Sequence, residues 1–367
     1  MKTSQNTTTE NKQESLILAF DTSCDETSVA VLQGRRILSN VVSSQVELHR
    51  KWGGVVPNVA KRAHEENIEE AYNEALNRAD VDITRIDAIA VTYGPGLAID
   101  LEVGLNFAKQ LAIENDKPLV PVNHMEGHLL SSFLLNSRGK GIYEEDMVNA
   151  FPLLAVLASG KHTELIFSTK PGSYKKLGKT LDDAAGECFD KVGRMLNFGY
   201  PGGPVISEFA KKAQNKEEFG LPIPMERSGD LNFSYSGLKT ACLYKVTALR
   251  EAGRKDKEWV NDFCNEFVEV VSRSIIIKAE QAIKENPEIK TVVVGGGVFN
   301  NEYVLRSLGK MVRSYGLTFL FPHKKNRGDN AAMIGIAGFR AYLDGEFIRN
   351  NSEIEKLDRE PRLGLGD

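Results

Sequence analysis

The chain has 367 residues, of which 41% are hydrophobic and 26% are charged, and its formal net charge is −4. This length and composition are typical of a globular protein with a substantial core and exclude a disordered chain. The negative charge excludes general electrostatic attraction to nucleic acid. Such a partner needs a local basic patch, and the run HKKNR from His323 is one candidate.

The two ends and the cysteines bear on location. Residues 1–15 are polar and lack an apolar core, so they are predicted to be a disordered tail and not a signal peptide. The four cysteines are scattered without a CxxC pair, which favours reduced thiols and a cytoplasmic protein. No apolar run approaches the length of a membrane span. Residues 344–367 are predicted to be a charged carboxyl-terminal tail that frays from about Asn350.

The first half of the chain contains three strand-based segments in order. Residues 16–34 read as a strand, a small polar turn and a second strand. Residues 86–97 are a buried type of strand that runs into a glycine loop and then a helix. Residues 117–128 are a short strand that ends in polar residues before another helix.

The second half repeats this order. Its counterparts are 153–169, 289–301 and 317–333, and a helical insertion lies around 180–285. Three matched pairs predict two duplicated α/β domains, 16–150 and 151–343, with ligand-binding loops at the strand ends. A ligand is expected in the cleft between the two halves.

His124 and His128 lie four residues apart in the apolar run VNHMEGHLLSSFL. This spacing places both imidazoles on one helix face, as ligands of one metal ion require. A zinc-protease helix needs HExxH, but Met125 stands where that motif has its glutamate, and Glu126 faces away from the histidines. The simpler alternative is a pair of partly buried helix histidines.

Asp329 follows the third strand of the second half, at the place that matches the histidine pair in the first half. Together the three side chains would form a 2-His-1-carboxylate site for iron, with zinc as the alternative. Asp329 also has a structural alternative as the N-cap of the helix that follows it.

Small and glycine-rich turns at 21–27, 158–164 and 295–301 could bind phosphate oxygens and a nucleoside through backbone amides. Glycines are also common in ordinary turns, so each turn alone is weak evidence. Asp190 lies on a charged helix face, where it is interpreted either as a contact to a ribose or as part of a solvent-exposed charged stripe. Gly203 serves either a turn or the close approach of a ligand.

Ten segments between residues 16 and 343 form an ordered set: TSCDETSVAV, SNVVSSQVELH, GGVVPNVAKRAHEENI, GPGL, VNHMEGH, LDDAAGECFDKVGRML, YPGGPVI, FSYSGLKTA, GGGVFNN and DNAAMIG. This set resembles the TsaD family of tRNA threonylcarbamoyltransferases, which has a relative in the KEOPS complex. The resemblance implies an actin/Hsp70/sugar-kinase (ASKHA) fold of two duplicated α/β domains.

The resemblance also implies a reaction and its site. The threonylcarbamoyl group of threonylcarbamoyl-AMP passes to the exocyclic amine of the adenosine 3′ of the anticodon, in tRNAs that read codons beginning with A, and AMP leaves. It implies one divalent metal, Fe²⁺ or alternatively Zn²⁺. The implied residues are His124, His128 and Asp329 as metal ligands, Asp25 and Glu26 near the reacting centre, and Leu157, Ala158, Ser159, Gly160, Lys161, Asp190, Gly203 and Asn301 as substrate contacts.

Lys161 departs from the family pattern, which has a glycine there. Because lysine does not readily adopt a positive φ, we expect either a reshaped loop or an ammonium that contacts phosphate.

The implied partners are tRNA, a TsaB-like paralogue and a TsaE-like ATPase. Two rival functions stay open at this point. An ATP-dependent small-molecule kinase of the same superfamily would not need the histidine pair. A non-catalytic TsaB-like scaffold would not be expected to keep the metal ligands together with the nucleotide loops.

Overall fold

A computed structural model of the chain describes residues 14–141, 147–215 and 218–366. The predicted tail 1–15 lies outside these residues except for Glu14 and Ser15, and the carbonyl of Ser15 accepts a hydrogen bond from Gly34 at 2.9 Å. Within the described part of the chain, no helix is both long enough and apolar enough to cross a membrane.

The chain divides into two compact units. The first contains residues up to 48, then 55–149 and 329–365, and the second contains 49–54 and 150–328 together with the last two residues. The sequence placed a single boundary near residue 150 and assigned 151–343 to the second domain. The structure differs from this prediction at residues 329–343, which belong to the first unit.

The first unit is built on a five-stranded mixed sheet with strand order β3-β2-β1-β4-β5. Strands β1, β2 and β3 pair antiparallel with one another in sequence, and β4 and β5 extend the sheet on the other side of β1 as parallel strands. In the register of the sheet, Leu18 of β1 lies between Val31 of β2 and Ile89 of β4. The strands are β1 (Leu16–Asp21), β2 (Glu26–Gln33), β3 (Arg36–Ser44), β4 (Ala88–Gly94) and β5 (Leu119–Asn123).

The sheet of the second unit repeats this arrangement in the order β8-β7-β6-β9-β10. Here β6 is the central strand, antiparallel to β7 and parallel to β9, so the two sheets have the same strand order and directions, as the three matched sequence pairs predict. The strands are β6 (Leu153–Ala158), β7 (Thr163–Lys170), β8 (Ser173–Lys179), β9 (Thr291–Gly295) and β10 (Thr318–Leu320).

Eleven α-helices accompany the sheets in the described residues. They are α1 (Val46–Arg50), α2 (Pro57–Ala79), α3 (Ala98–Glu114), α4 (His124–Leu130), α5 (Ala185–Met195), α6 (Gly202–Ala210), α7 (Ser236–Glu251), α8 (Asp256–Glu285), α9 (Glu302–Ser314), α10 (Ala331–Asp344) and α11 (Asn351–Lys356).

Both faces of the first sheet are covered, which explains why its central strands are continuous apolar runs. Side chains such as Leu18 and Phe20 face a core that includes Ile68 of α2. Alternate residues point to the other face, where α10 packs through glycines. A β carbon added to Gly338 would lie 2.4 Å from Cβ of Ala90, so α10 fits only because this position has no side chain. This contact is the physical reason that 331–344 belong to the first unit.

The carboxyl-terminal segment is ordered, which corrects the prediction that the charged tail frays from about Asn350. Ile348 pairs with Leu119 of β5, and Ile354 of α11 is fully buried in the core of the first unit. Nearer the carboxyl terminus, the carbonyl of Gly364 accepts a hydrogen bond from the side-chain amide of Asn123 at 3.0 Å. The charged composition of this segment gave no sign in the sequence of the few apolar contacts that hold it in place.

The close packing of α10 yields a stability prediction. Gly338→Ala is expected to destabilise the protein by about 1–3 kcal/mol, because the new methyl overlaps Cβ of Ala90, which cannot rotate away. Gly335→Ala is the control, since its new methyl would meet the terminal methyls of Leu32, which can shift. Urea unfolding curves measure both. A Gly338→Ala variant as stable as Gly335→Ala would contradict this account.

Candidate metal and substrate site

The histidine helix begins directly at the end of β5. Asn123 caps α4, since its side-chain oxygen accepts a hydrogen bond from the amide of Met125 at 2.8 Å. His124 and His128 then project from one face, with ring centroids 4.7 Å apart and planes at 86°. Both residues are buried. The predicted helical pair is therefore present and shielded from solvent.

Asp329 lies two residues before the start of α10, but it is not the helix cap. Asn330 has that role, and its side chain accepts a hydrogen bond from the amide of Met333. The amide of Ala331 donates to the hydroxyl of Ser28 at 2.8 Å, which ties the start of α10 to β2. The alternative of Asp329 as an N-cap is thus wrong, and its carboxylate is left to other contacts.

Asp329 meets both histidines within the first unit. Its Oδ1 lies 3.1 Å from Nε2 of His128 and 3.6 Å from Nε2 of His124. One donor atom from each of the three residues lies within 4.8 Å of the others, close enough to bind one metal ion. Sequence reasoning expected Asp329 to approach from the second half. Instead it is part of the same unit as the histidines, because α10 packs on the first sheet.

The hydrogen bonding of His128 supports a metal-ligand role. Although its ring is fully buried, Nδ1 has no hydrogen-bond partner among the described residues, and Nε2 has the Asp329 carboxylate 3.1 Å away. A buried polar atom without a partner is costly unless it has another ligand. Two imidazole nitrogens and one carboxylate oxygen are a donor set suited to a divalent transition metal.

Asp21 and Ser23 complete the surroundings of His124, and sequence reasoning missed both. Nδ1 of His124 lies 3.1 Å from the Ser23 hydroxyl and 3.5 Å from the Asp21 carboxylate, which leaves Nε2 directed at Asp329. Such contacts are typical of metal-binding histidines, since they orient the ring. The position of Asp21 at the end of β1 was the available signal.

Neighbouring charges shift the pKa values of His124 and Asp329 at this site. Burial disfavours the protonated ring of His124, but the carboxylates of Asp21 and Asp329 outweigh this effect and raise its pKa to about 10. Burial alone would raise the pKa of Asp329, but both imidazoles hold it well below the usual value. The site therefore favours positive charge beside its carboxylates.

Asp25 lies in the turn between β1 and β2 of the same unit, and Glu26 is the first residue of β2. Burial, followed by repulsion from Asp25 and Asp329, raises the pKa of Glu26 well above its usual value. The buried ring of His64 holds this turn from α2. Its Nε2 is 2.9 Å from the Cys24 carbonyl, and its Nδ1 is 2.8 Å from the Thr27 hydroxyl. Sequence reasoning did not identify His64.

In the second unit, the predicted substrate loop is the turn that joins β6 to β7. Leu157 and Ala158 are buried in β6, Ser159 is buried, and Gly160 and Lys161 are exposed. The Ser159 carbonyl accepts a hydrogen bond from the amide of Gly186 at 3.1 Å, at the start of α5. Gly160 and Lys161 therefore form the accessible tip of the loop.

Three further predicted residues lie on neighbouring elements of this unit. Asp190 of α5 accepts a hydrogen bond from the amide of Gly202 at 2.8 Å, at the start of α6. The side-chain oxygen of Asn301 caps α9, and its amide donates to Ser207 of α6 at 2.9 Å. Gly203 has only one near contact for an added β carbon, 3.8 Å away on Phe189. The structure thus gives Asp190 and Asn301 structural roles that the sequence did not predict.

The backbone at Lys161 does not adopt the left-handed conformation that favours glycine. The non-glycine residues with positive φ among those described are Asp80, Asp116, Asn197 and Met225. Lys161 is not among them, so it sits in this loop without a positive φ, and both expectations for this residue stay predictions.

Comparison with known proteins identifies the family. The model of the TsaD family, described as tRNA N6-adenosine threonylcarbamoyltransferase, matches residues 36–336. The chain belongs to the TsaD family. The resemblance predicted from the ten sequence segments is therefore confirmed.

Individual relatives agree over nearly their whole length. The chain is 46% identical over 333 residues to the tRNA N6-adenosine threonylcarbamoyltransferase of Thermodesulfovibrio yellowstonii, covering 90% of this chain and 96% of the relative. It is 42% identical over 354 residues to the protein of that name from Staphylococcus aureus, covering 94% and 98%.

Solved structures agree on the fold. HypF from T. kodakarensis aligns with a TM-score of 0.58 at 15% identity, over 92% of this chain and 49% of that one. The activator of the 2-hydroxyisocaproyl-CoA dehydratase from Clostridium difficile aligns with a TM-score of 0.50 at 13% identity, over 94% and 99%. The predicted actin/Hsp70/sugar-kinase fold is confirmed.

The geometry of the three ligands predicts metal binding that depends on His128. His128→Ala is expected to weaken Zn²⁺ binding by more than about 100-fold, because loss of a direct ligand should exceed the loss of an outer partner. Titration with Zn²⁺ against a competing chelator measures the affinity. His323→Ala, which removes an exposed histidine of the second unit, is the control. Equal Zn²⁺ affinities of His128→Ala and His323→Ala would contradict a role of His128 as a metal ligand.

Proposed function

We propose that this chain transfers the threonylcarbamoyl group from threonylcarbamoyl-AMP to the exocyclic amine of the adenosine 3′ of the anticodon, in tRNAs that read ANN codons, with release of AMP. The observation that carries this proposal is family membership over nearly the whole chain together with the convergence of His124, His128 and Asp329. A kinase of the same fold class would not need that convergence.

The chemistry explains why such a site is useful. The adenine amine is a poor nucleophile, because its lone pair is delocalised into the ring. His124, His128 and Asp329 would hold one divalent metal, Fe²⁺ or alternatively Zn²⁺. Bound there, the metal would supply Lewis-acid activation of the carbamoyl carbonyl.

The acidic residues beside this site are suited to handling the proton. As the new bond to the carbamoyl carbon forms, the amine loses a proton, and the bond to the AMP phosphate oxygen breaks. We assign proton acceptance to the Asp25 carboxylate, which is buried in the β1–β2 turn, and a supporting role to Glu26.

The second unit would contribute the adenylate contacts. The tip of the β6–β7 loop at Gly160 and Lys161 is accessible, and the Lys161 ammonium can pair with phosphate. Asp190, Gly203 and Asn301 lie on elements joined by direct hydrogen bonds, which supports their assignment as one group that contacts the nucleoside.

The family also suggests partners, namely tRNA, a TsaB-like paralogue and a TsaE-like ATPase, and a cytoplasmic site of action. The net charge of −4 agrees with tRNA being bound by a local or composite surface.

The reaction is tested with purified protein, threonylcarbamoyl-AMP and unmodified tRNA, with and without the two partner proteins. Mass spectrometry of digested tRNA is expected to detect threonylcarbamoyladenosine in at least one combination, and not with His128→Ala. Absence of the modified nucleoside from every combination would contradict the proposal. ATP-dependent phosphorylation of a small molecule would favour the kinase instead.

The role of Asp25 makes a separate prediction. Asp25→Asn is expected to lower kcat by about 10²–10⁴-fold, the usual contribution of a general base, with little change in Zn²⁺ affinity. Single-turnover transfer to tRNA is the measurement, and Glu355→Gln, on the exposed face of α11, is the control. A near-normal rate for Asp25→Asn would remove this residue from the mechanism.

Lys161 is tested by restoring the family residue. Lys161→Gly is expected to raise the KM for threonylcarbamoyl-AMP by about 10-fold with kcat little changed, because one charged contact to phosphate is lost. Lys170→Gly, at an exposed lysine at the end of β7, is the control. An unchanged KM for Lys161→Gly would exclude a phosphate contact.

A further inference from the structure

A buried ion pair joins the two helices that supply the metal ligands. Glu126 lies in α4 between the two histidines, and its Oε1 is 2.9 Å from a terminal guanidinium nitrogen of Arg340 in α10. Only 9% of the Glu126 side chain and 7% of the Arg340 side chain are exposed. Because Glu126 is two residues from each histidine, it points away from them and is not a ligand.

Arg340 is held firmly by other carboxylates as well. Its second terminal nitrogen contacts Asp344 at 3.3 Å and Glu346 at 2.5 Å, both near the end of α10. The planar guanidinium can donate to several carboxylates at fixed angles. Arg340 therefore links α4 to a defined place on α10 and the turn after it.

The two helices also touch beside this pair. A β carbon at Gly127 would lie 3.1 Å from the Met333 carbonyl, so the backbones of α4 and α10 approach closely. Asp329 precedes α10 by two residues, and both histidines are in α4. Any slide of one helix along the other therefore changes the distances between the imidazoles and the carboxylate.

Stability alone does not explain such a pair, since buried ion pairs are often replaced by apolar residues without loss of stability. We propose that Glu126 and Arg340 are positioning residues, whose ion pair aligns α4 with α10 so that His124 and His128 meet Asp329 at one metal ion. This inference rests on the proposed metal site but not on the transfer reaction.

The test measures Co²⁺ binding to the full chain by its visible absorption spectrum, which reports affinity and ligand geometry together. Arg340→Met and Glu126→Gln are each expected to weaken Co²⁺ binding by about 10–100-fold, the range found when groups that orient metal ligands are removed, because α4 and α10 would no longer be held in register. Each should also alter the spectrum of the bound ion. Arg340→Lys, which keeps the charge and can still reach Glu126, is expected to have intermediate affinity.

Two further variants separate positioning from simple destabilisation. Ile68→Ala removes core packing on the opposite face of the sheet and should lower the Tm without changing Co²⁺ affinity. Glu126→Met combined with Arg340→Met should regain Tm relative to Arg340→Met alone, since no unpaired buried charge remains, but should keep the weakened affinity.

Parent-like Co²⁺ affinity in Arg340→Met and Glu126→Gln would overturn the proposal, as would an equal loss of affinity in Ile68→Ala or recovery of affinity in the double variant. If Co²⁺ binding by the parent does not depend on His128, the metal site fails and this inference fails with it. If Co²⁺ binds through His128 but transfer to tRNA is absent, only the proposed function fails.

Discussion

The approach of Asp329 to the buried nitrogens of His124 and His128 is the interaction on which the site depends. These atoms lie within 4.8 Å of one another in an interior where unpaired polar groups are costly. Asp21 adds a further carboxylate beside His124. A positive charge among these groups would satisfy them together, and the divalent cation of the proposed function, held by all three donor residues, would supply it.

Much of the surrounding fold serves to hold these three donors. Strand β5 ends at Asn123, which caps the histidine helix and is itself tied to the carboxyl-terminal segment at Gly364. On the other side, β2 holds the start of α10 through Ser28, and glycines let α10 lie directly on the sheet. The site is thus built from backbone elements with few degrees of freedom, which is the arrangement that metal geometry requires.

The sequence predicted the parts of this arrangement that follow from local periodicity and repetition. The four-residue spacing of the histidines predicted one helix face, and the three matched segments predicted two sheets of the same order. Repetition also singled out Asp329, but it could not reveal that α10 packs with the first unit. That outcome depends on Gly338 fitting against Ala90, a long-range contact with no local signature.

Other features were beyond sequence reasoning for the same reason. Asp190 and Asn301 were predicted as substrate contacts, but Asp190 bonds to Gly202 on the next helix and Asn301 bonds to Ser207, which is distant along the chain. The carboxyl-terminal segment was predicted to fray because its composition is charged. One fully buried side chain, Ile354, and a few backbone hydrogen bonds are enough to order it.

X-ray absorption spectroscopy of the full chain loaded with one equivalent of Zn²⁺ tests the central claim most directly. Two imidazole nitrogens and at least one oxygen are expected at about 2.0–2.2 Å, and one imidazole should be lost from the spectrum of the variant that lacks His128. A first shell without two imidazoles, or a spectrum unchanged by removal of His128, would contradict the account.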